Sequence, residues 1–257
     1  MGTIVTIHAL RPDSEAAIDR AFAWFREIEA RCTRFREESE LMQLTAQVGV
    51  PVPVSAILFE AVRFAVMVAE ESGGAFDVSS RDGLGQYRDL ELDADRRTIL
   101  LRKPLTLDLG AVAKGLAVDM AAHELDEFED FAIDAGGDVY LGGSNPFGDP
   151  WAVAIRHPRH DNETIGTLRI SNQAVCTSGD YERGDHIRDP RTGLAAQSVA
   201  SATVVAPGAM LADALATSAF VLGPEEGIRF LNRLGAEGLI VTPGLERFET
   251  GGLQLVA

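Results

Sequence analysis

Residues 3–9 alternate polar and apolar side chains with period two, as a half-buried strand does. The stop Arg11-Pro-Asp-Ser14 follows. Ala17, Phe22, Phe25 and Ile28 then share one helical face, so a helix capped by Asp13 or Ser14 is expected to run to about Thr33. Ser39 opens a short helix through Leu44. Ser55 opens a longer one to Glu71, whose broad apolar side marks a core helix and whose end at Gly73-Gly74 suits the left-handed C-cap conformation. From Leu90 to Leu107 the pattern turns strand-like, and Asp93-Ala-Asp95 reads as the turn of a hairpin between 90–92 and 98–101. Residues 111–128 resume helical periodicity, so Asp108-Leu-Gly110 feeds a helix N-terminus, a place that favours anions. The second half predicts strands at 131–134, 151–156, 166–170, 198–205 and 238–241, with helices at 210–222 and 224–234. The sum is an α+β fold with much antiparallel sheet. No Ser- or Pro-rich linker divides it, so residues 1–257 read as one domain of two closely packed lobes, with a lobe boundary near residue 130.

Composition narrows the functional classes. With 46% hydrophobic and 24% charged residues the 257-residue chain has globular composition and length for a sizeable core. Its 39 acidic against 23 basic side chains give a net charge of −16, a field that repels phosphate backbones and anionic headgroups. Nucleic acid and membrane are therefore not expected partners. A phosphate-rich ligand would need local help from a divalent cation or clustered backbone N–H groups. Cys32 and Cys176 stand in no metal-ligand spacing and are expected as buried thiols. The sequence shows neither a basic leader nor an apolar run near the ~18 residues of a membrane span. As given, the chain is expected to be cytoplasmic, or exported if it has been trimmed before Met1.

There is no P-loop, no His-Glu-x-x-His and no Gly-x-Ser-x-Gly, and Gly83-Leu-Gly85 lacks the third glycine of a dinucleotide fingerprint. What remains is a set of polar, glycine-bearing segments. Lys114 falls in the first turn of a helix, where a cation opposes the helix dipole; it is either a solvated charge or a phosphate contact aided by helix N–H groups. Asp134-Ala-Gly-Gly-Asp138 and Gly73-Gly-Ala-Phe-Asp77 are either ordinary turns or places where the backbone approaches a ligand. In the second, Phe76 is a core residue or stacks on a planar heterocycle beside the Asp77 acceptor. Between Cys176 and Gly193, hydroxyls, carboxylates, arginines and His186 crowd together. His186 suits a general base with Asp185 or Asp189 orienting it, whereas a Ser178–His186 nucleophile pair lacks the strained elbow such serines occupy. Asp213 and Thr217, four residues apart on a small-residue helix, offer hard oxygen ligands suited to Mg²⁺, or are a helix-start Asp and a Thr bonded to a carbonyl.

In series, these segments resemble the ApbE family of FAD:protein FMN transferases. The likeness is carried by Met1-Gly-Thr, Phe35-Arg-x-x-Ser39-Glu-Leu, Gly74-Ala-Phe-Asp77, Leu107-Asp-Leu-Gly-Ala-Val-Ala-Lys-Gly115, Asp134-Ala-Gly-Gly-Asp138, Trp151-Ala-Val-Ala-Ile-Arg-His-Pro158, Thr177-Ser-Gly-Asp-Tyr-Glu-Arg183, His186-Ile-Arg-Asp-Pro-Arg-Thr-Gly193 and Ala212-Asp-Ala-Leu-Ala-Thr217. The resemblance implies a flavin cleft between the lobes and Mg²⁺-dependent transfer of the FMN half of FAD to a Thr or Ser hydroxyl of an acceptor flavoprotein, releasing AMP. It implies Mg²⁺ on Asp213, Thr217 and the Ala111 carbonyl, and FAD against Met1, Ala75, Phe76, Asp77, Asp108, Lys114 and Ile187, with Thr177, Ser178 and Gly179 near the flavin. His186 is then the catalytic base. Alternatives that keep the site are an FAD pyrophosphatase giving FMN and AMP, and an FAD-binding protein without turnover. The chain is similar to a shortened member, since it passes from Asp77 to the strand at Leu90 without the Trp-Gly-Phe stretch common in the family.

Overall fold

A computed structural model describes residues 3–79, 85–180 and 187–256. In chain order the elements are β1 (Val5–Ala9), α1 (Glu15–Cys32), α2 (Glu40–Thr45), β2 (Val52–Pro53), α3 (Ala56–Glu71), β3 (Leu90–Asp93), β4 (Thr98–Leu101), α4 (Gly110–Leu125), β5 (Phe131–Ala135), β6 (Asp138–Gly142), β7 (Trp151–Arg156), β8 (Thr164–Ile170), β9 (Gln173–Gly179), β10 (Ser201–Ala206), α5 (Ala209–Leu222), α6 (Pro224–Leu234), β11 (Glu237–Val241), β12 (Arg247–Glu249) and β13 (Leu255–Val256). The α+β expectation holds. The caps are largely as the sequence indicates: the Ser39 and Ser55 hydroxyls accept the Met42 and Leu58 amides at the starts of α2 and α3, and Gly73 and Gly74 take positive φ after α3. Ser14 differs. It occupies the N-cap position of α1, but its hydroxyl donates to the Arg11 carbonyl instead of accepting a helix amide.

Seven strands form one antiparallel sheet in the order β1-β5-β6-β9-β10-β11-β12, so the first strand lies beside the fifth and ties the chain's start to its second half. Two three-stranded sheets, β13-β8-β7 and β2-β4-β3, account for the other strands among the described residues. Strand periodicity sorts the core. Ala174, Cys176, Ala202 and Val204 face α4 and α5 in the main core, while their neighbours Val175 and Val205 join Leu168, Ile155 and Ile170 in a second core beneath β7 and β8. Each fully buried aliphatic side chain of this kind contributes about 1.5–3 kcal/mol. Helices α4 and α5 bury most of their residues, as helices enclosed by a core do. On the outer side Glu124 of α4 accepts from Arg20 Nε at 2.7 Å and from Trp24 Nε1 at 3.0 Å, which fixes α1 against α4.

Candidate functional site

The site is set by how closely α4 and α5 approach. A Cβ on Gly115 would lie 2.5 Å from Met210 Cα and 2.6 Å from the Ala209 carbonyl oxygen, so only glycine permits this contact. One turn further along α4, Asp119 accepts the Ala209 and Met210 amides at 2.6 and 3.0 Å and serves as the missing cap of α5. Burial pushes the Asp119 carboxyl up, partly offset by those two amides. With Asp119 and Gly115 beside the start of α5, the helices run antiparallel, and the first turn of α4, with Ala111 and Lys114, comes alongside the Asp213–Thr217 turn.

Lys114 is neither solvated nor alone. Its side chain is a quarter exposed, and its ammonium forms a close ion pair with Asp138 at the start of β6 and lies 3.8 Å from Asp213 Oδ2; both carboxylates are nearly sealed from solvent. Burial by itself would lower the Lys114 pKa, but Asp213 and Asp138 outweigh it and hold the group charged beyond lysine's ordinary range. The same carboxylates answer the unfavourable placement of a cation at a helix start. On the sheet side, Ser178 Oγ is 3.2 Å from Thr217 Oγ1, so β9 and α5 bring two hydroxyls together next to Asp213. Cys176, two residues earlier on the same face of β9, points its thiol at the Ala209 carbonyl. Burial foremost, and the two aspartates next, raise its pKa and keep it a neutral thiol.

A second group of sequence-indicated residues gathers around the loop that enters α4. Asp108 Oδ2 accepts from Arg34 Nε at 3.0 Å, its Oδ1 accepts the Gly110 amide, and its own amide donates to the Val78 carbonyl. Asp77 Oδ1 accepts from the Ser79 amide and hydroxyl, and its Oδ2 accepts from the Tyr87 amide. Gly74 packs against Arg191 and Tyr87, each 3.8 Å from where a Cβ would stand, which brings the segment after Ile187 to the same place. The Asp189-Pro-Arg-Thr-Gly193 turn is formed, with the Gly193 amide on the Asp189 carbonyl and Arg191 on the Asp189 carboxylate. Ala75 and Phe76 are buried, and Phe76 packs in the main core.

The structure therefore brings together Lys114, Asp213, Thr217, Ser178 and the Ala111 turn in one cluster, and Ala75, Phe76, Asp77 and Asp108 in a neighbouring one, while Ile187 is partly buried against the main core. Gly179 ends β9 beside Ser178. Thr177 stands apart: strand alternation turns it away from Ser178, and its hydroxyl meets that of Thr203 at 2.9 Å. Met1 and His186 lie outside the described residues. Three residues that sequence reasoning did not select prove central: Asp138, the partner of Lys114; Asp119, the cap of α5; and Arg34, bound to Asp108. Asp138 had a signal, since it closes the Gly-Gly-Asp segment, whose glycines take φ of +68° and +93° and return the chain into β6.

Comparison with known proteins gives a consistent result. The profile of the ApbE family matches residues 1–84 and 80–240. The FAD:protein FMN transferase of Treponema pallidum is 31% identical over 95% of this chain and 83% of its own length. That of Haemophilus influenzae is 28% identical over 84% of this chain and 75% of its own length. Among solved structures, the flavin transferase ApbE from Vibrio cholerae superposes with a TM-score of 0.88 at 26% identity, covering 98% of this chain and 94% of that one. The ApbE protein of Thermotoga maritima gives a TM-score of 0.87 at 27% identity, covering 97% and 94%.

Proposed function

This chain belongs to the ApbE family, and on that premise we propose that it transfers the FMN half of FAD to a Thr or Ser hydroxyl of an acceptor flavoprotein and releases AMP. The observation that carries the reading is the Lys114 ammonium shared between buried Asp138 and Asp213, beside the paired hydroxyls of Ser178 and Thr217. Apart from that ammonium and the Cys176 thiol, which burial keeps neutral, the polar groups gathered there offer oxygen, the donor type a hard divalent cation takes, so Mg²⁺ fits on Asp213, Thr217 and the Ala111 carbonyl. Bound there, it would offset pyrophosphate charge and the charge developing at phosphorus.

The protein's own groups do the rest. Lys114 offers a fixed positive charge at the start of α4, which draws the phosphates toward the helix amides, and Asp138 keeps that charge in place. Ala75, Phe76, Asp77, Asp108 and Ile187, with Met1, Ser178 and Gly179, hold the flavin half; Thr177, turned to the other face of β9, takes no part. His186 removes the acceptor hydroxyl's proton as its oxygen bonds to the FMN phosphorus; the bond to the bridging oxygen breaks, and AMP leaves with that electron pair.

The test is intact-mass analysis of a reporter bearing Asp-x-x-Ser/Thr-Gly-Ala-Thr after incubation with the protein, FAD and Mg²⁺, with AMP quantified alongside. An FMN adduct that is lost without Mg²⁺ is expected. AMP with an unmodified reporter would make water the acceptor, and intact FAD would leave a binding protein. The Asp213→Ala variant should lose transfer; full activity of that variant at low Mg²⁺ would refute the metal assignment.

A further inference from the structure

We propose that the hairpin turn between β7 and β8 is a second metal site, built by His157, His160 and Glu163 for a first-row transition cation such as Zn²⁺. Ligand atoms of these three side chains all lie within 4.8 Å of one another. A tetrahedral ion with bonds of ~2.0–2.1 Å sets its ligands roughly 3.4 Å apart, so small side-chain rotations close the gap. His160 and Glu163 are exposed and His157 is half-buried, which leaves them free to make those rotations.

The turn is already ordered for it. The His157 amide donates to the Glu163 carbonyl at 2.9 Å, and the Glu163 amide donates to the His160 carbonyl at 3.2 Å, so the backbone presents all three ligands from one tight loop. The imidazole rings are in contact, with centroids 4.6 Å apart. The two neighbouring arginines, whose charge would oppose a cation, are neutralised. Arg156 pairs with Asp161 at 2.6 Å, and Arg159 grips both oxygens of Asp180 at 2.7 and 2.8 Å.

Two imidazoles and one carboxylate with an open fourth position form a zinc-type donor set, unlike the oxygen donors around Asp213. The Arg159 amide donates to His157 Nδ1 at 3.1 Å. Coordination through that nitrogen replaces this hydrogen bond, which makes the site weaker than a closed structural zinc centre. Through Arg159 and Asp180 the hairpin is joined to the residue that follows β9, so an ion held in the turn would stiffen the edge of the candidate active site.

Calorimetric titration of the full chain with Zn²⁺, in excess Mg²⁺, tests the proposal. Wild-type protein should take up one more equivalent than the His157→Ala/His160→Ala double variant, and Asp213→Ala should retain that equivalent. Equal uptake by wild type and double variant would overturn the site. A second readout follows the ring signals of the five histidines under substoichiometric paramagnetic Ni²⁺. The signals of His157 and His160 should broaden first, and uniform broadening, or none, would also overturn it.

Discussion

Replacing Gly115 with alanine sets two effects of opposite sign against each other. Helix propensity favours alanine over glycine by about 1 kcal/mol in a helix interior. Against that, the new methyl would lie 2.5 Å from Met210 Cα and 2.6 Å from both the Ala209 oxygen and the Met210 nitrogen. Ordinary carbon contacts need ~3.5–4.0 Å, so α4 and α5 must separate by roughly 1 Å. All three atoms are backbone, held by the Asp119 cap, so no side chain can simply rotate away. Overpacking of this kind costs ~1–3 kcal/mol, and an unyielding wall places it at the upper end. The net expectation is a loss of about 2 kcal/mol, or ~4–8 °C in melting temperature at ~2–4 °C per kcal/mol for a chain of this size. Urea titration supplies the free energy and a thermal melt the shift. FMN transfer should fall by more than the loss of folded protein accounts for, because Lys114 and Asp213 sit on the two helices being forced apart. A variant as stable as wild type, or about 1 kcal/mol more stable as propensity alone demands, would show that the close approach of α4 and α5 does not govern the site.

Asp138→Ala removes one side of a buried ion pair, a change that typically costs ~3–5 kcal/mol. Because the Lys114 side chain keeps some solvent exposure and its ammonium retains Asp213, we expect about 2 kcal/mol in urea titrations, and a difference within ~0.5 kcal/mol of wild type would deny the pair a structural role. Asp119→Ala should destabilise by ~1–2 kcal/mol through loss of the α5 cap, and FMN transfer should need more Mg²⁺ for half-maximal rate as Asp213 loses its fixed position. Thiol reagents at mildly alkaline pH should modify neither cysteine in the folded protein and both after unfolding. Burial, with Glu40 adding to it, moves Cys32 from 9.0 to about 12, so as pH rises past 9.0 the unfolded chain releases a proton that the folded chain keeps. Stability should therefore decline on that limb, and Cys32→Ala should flatten the decline.

Much of this architecture is legible in the sequence because it is local. Ser39 and Ser55 cap their helices through bonds spanning three residues, and the period of the apolar positions places α1, α3, α5 and α6 within a few residues. Two central strands are not legible that way. β9 is buried on both faces, so Ala174-Val-Cys-Thr-Ser-Gly179 shows no polar alternation and reads as the start of a connector. β6 opens with Asp138, a residue that strands disfavour and turns welcome, and only the ammonium reaching across from α4 explains its burial. For the site the division is the same. Asp213 and Thr217 are visible as a four-residue spacing on one helix, whereas the partnership of residues 114 and 138, or of 119 and 209, depends on packing between elements that no short window contains.

The two-faced burial of β9 also dictates where this protein can change length. Cys176 and Ser178 look toward α5, and Val175 and Thr177 look toward the opposite layer. A slip of one residue between β6 and β10 would exchange the sets: valine would be pressed against the start of α5, the Ser178 hydroxyl would leave Thr217, and the sulfur would enter the aliphatic layer under β7. Every strand pairing in the middle of the sheet would have to follow. Insertions and deletions are thus confined to the turns, and any graft or circular permutation of this scaffold has to treat residues 173–179 as a ruler of fixed length.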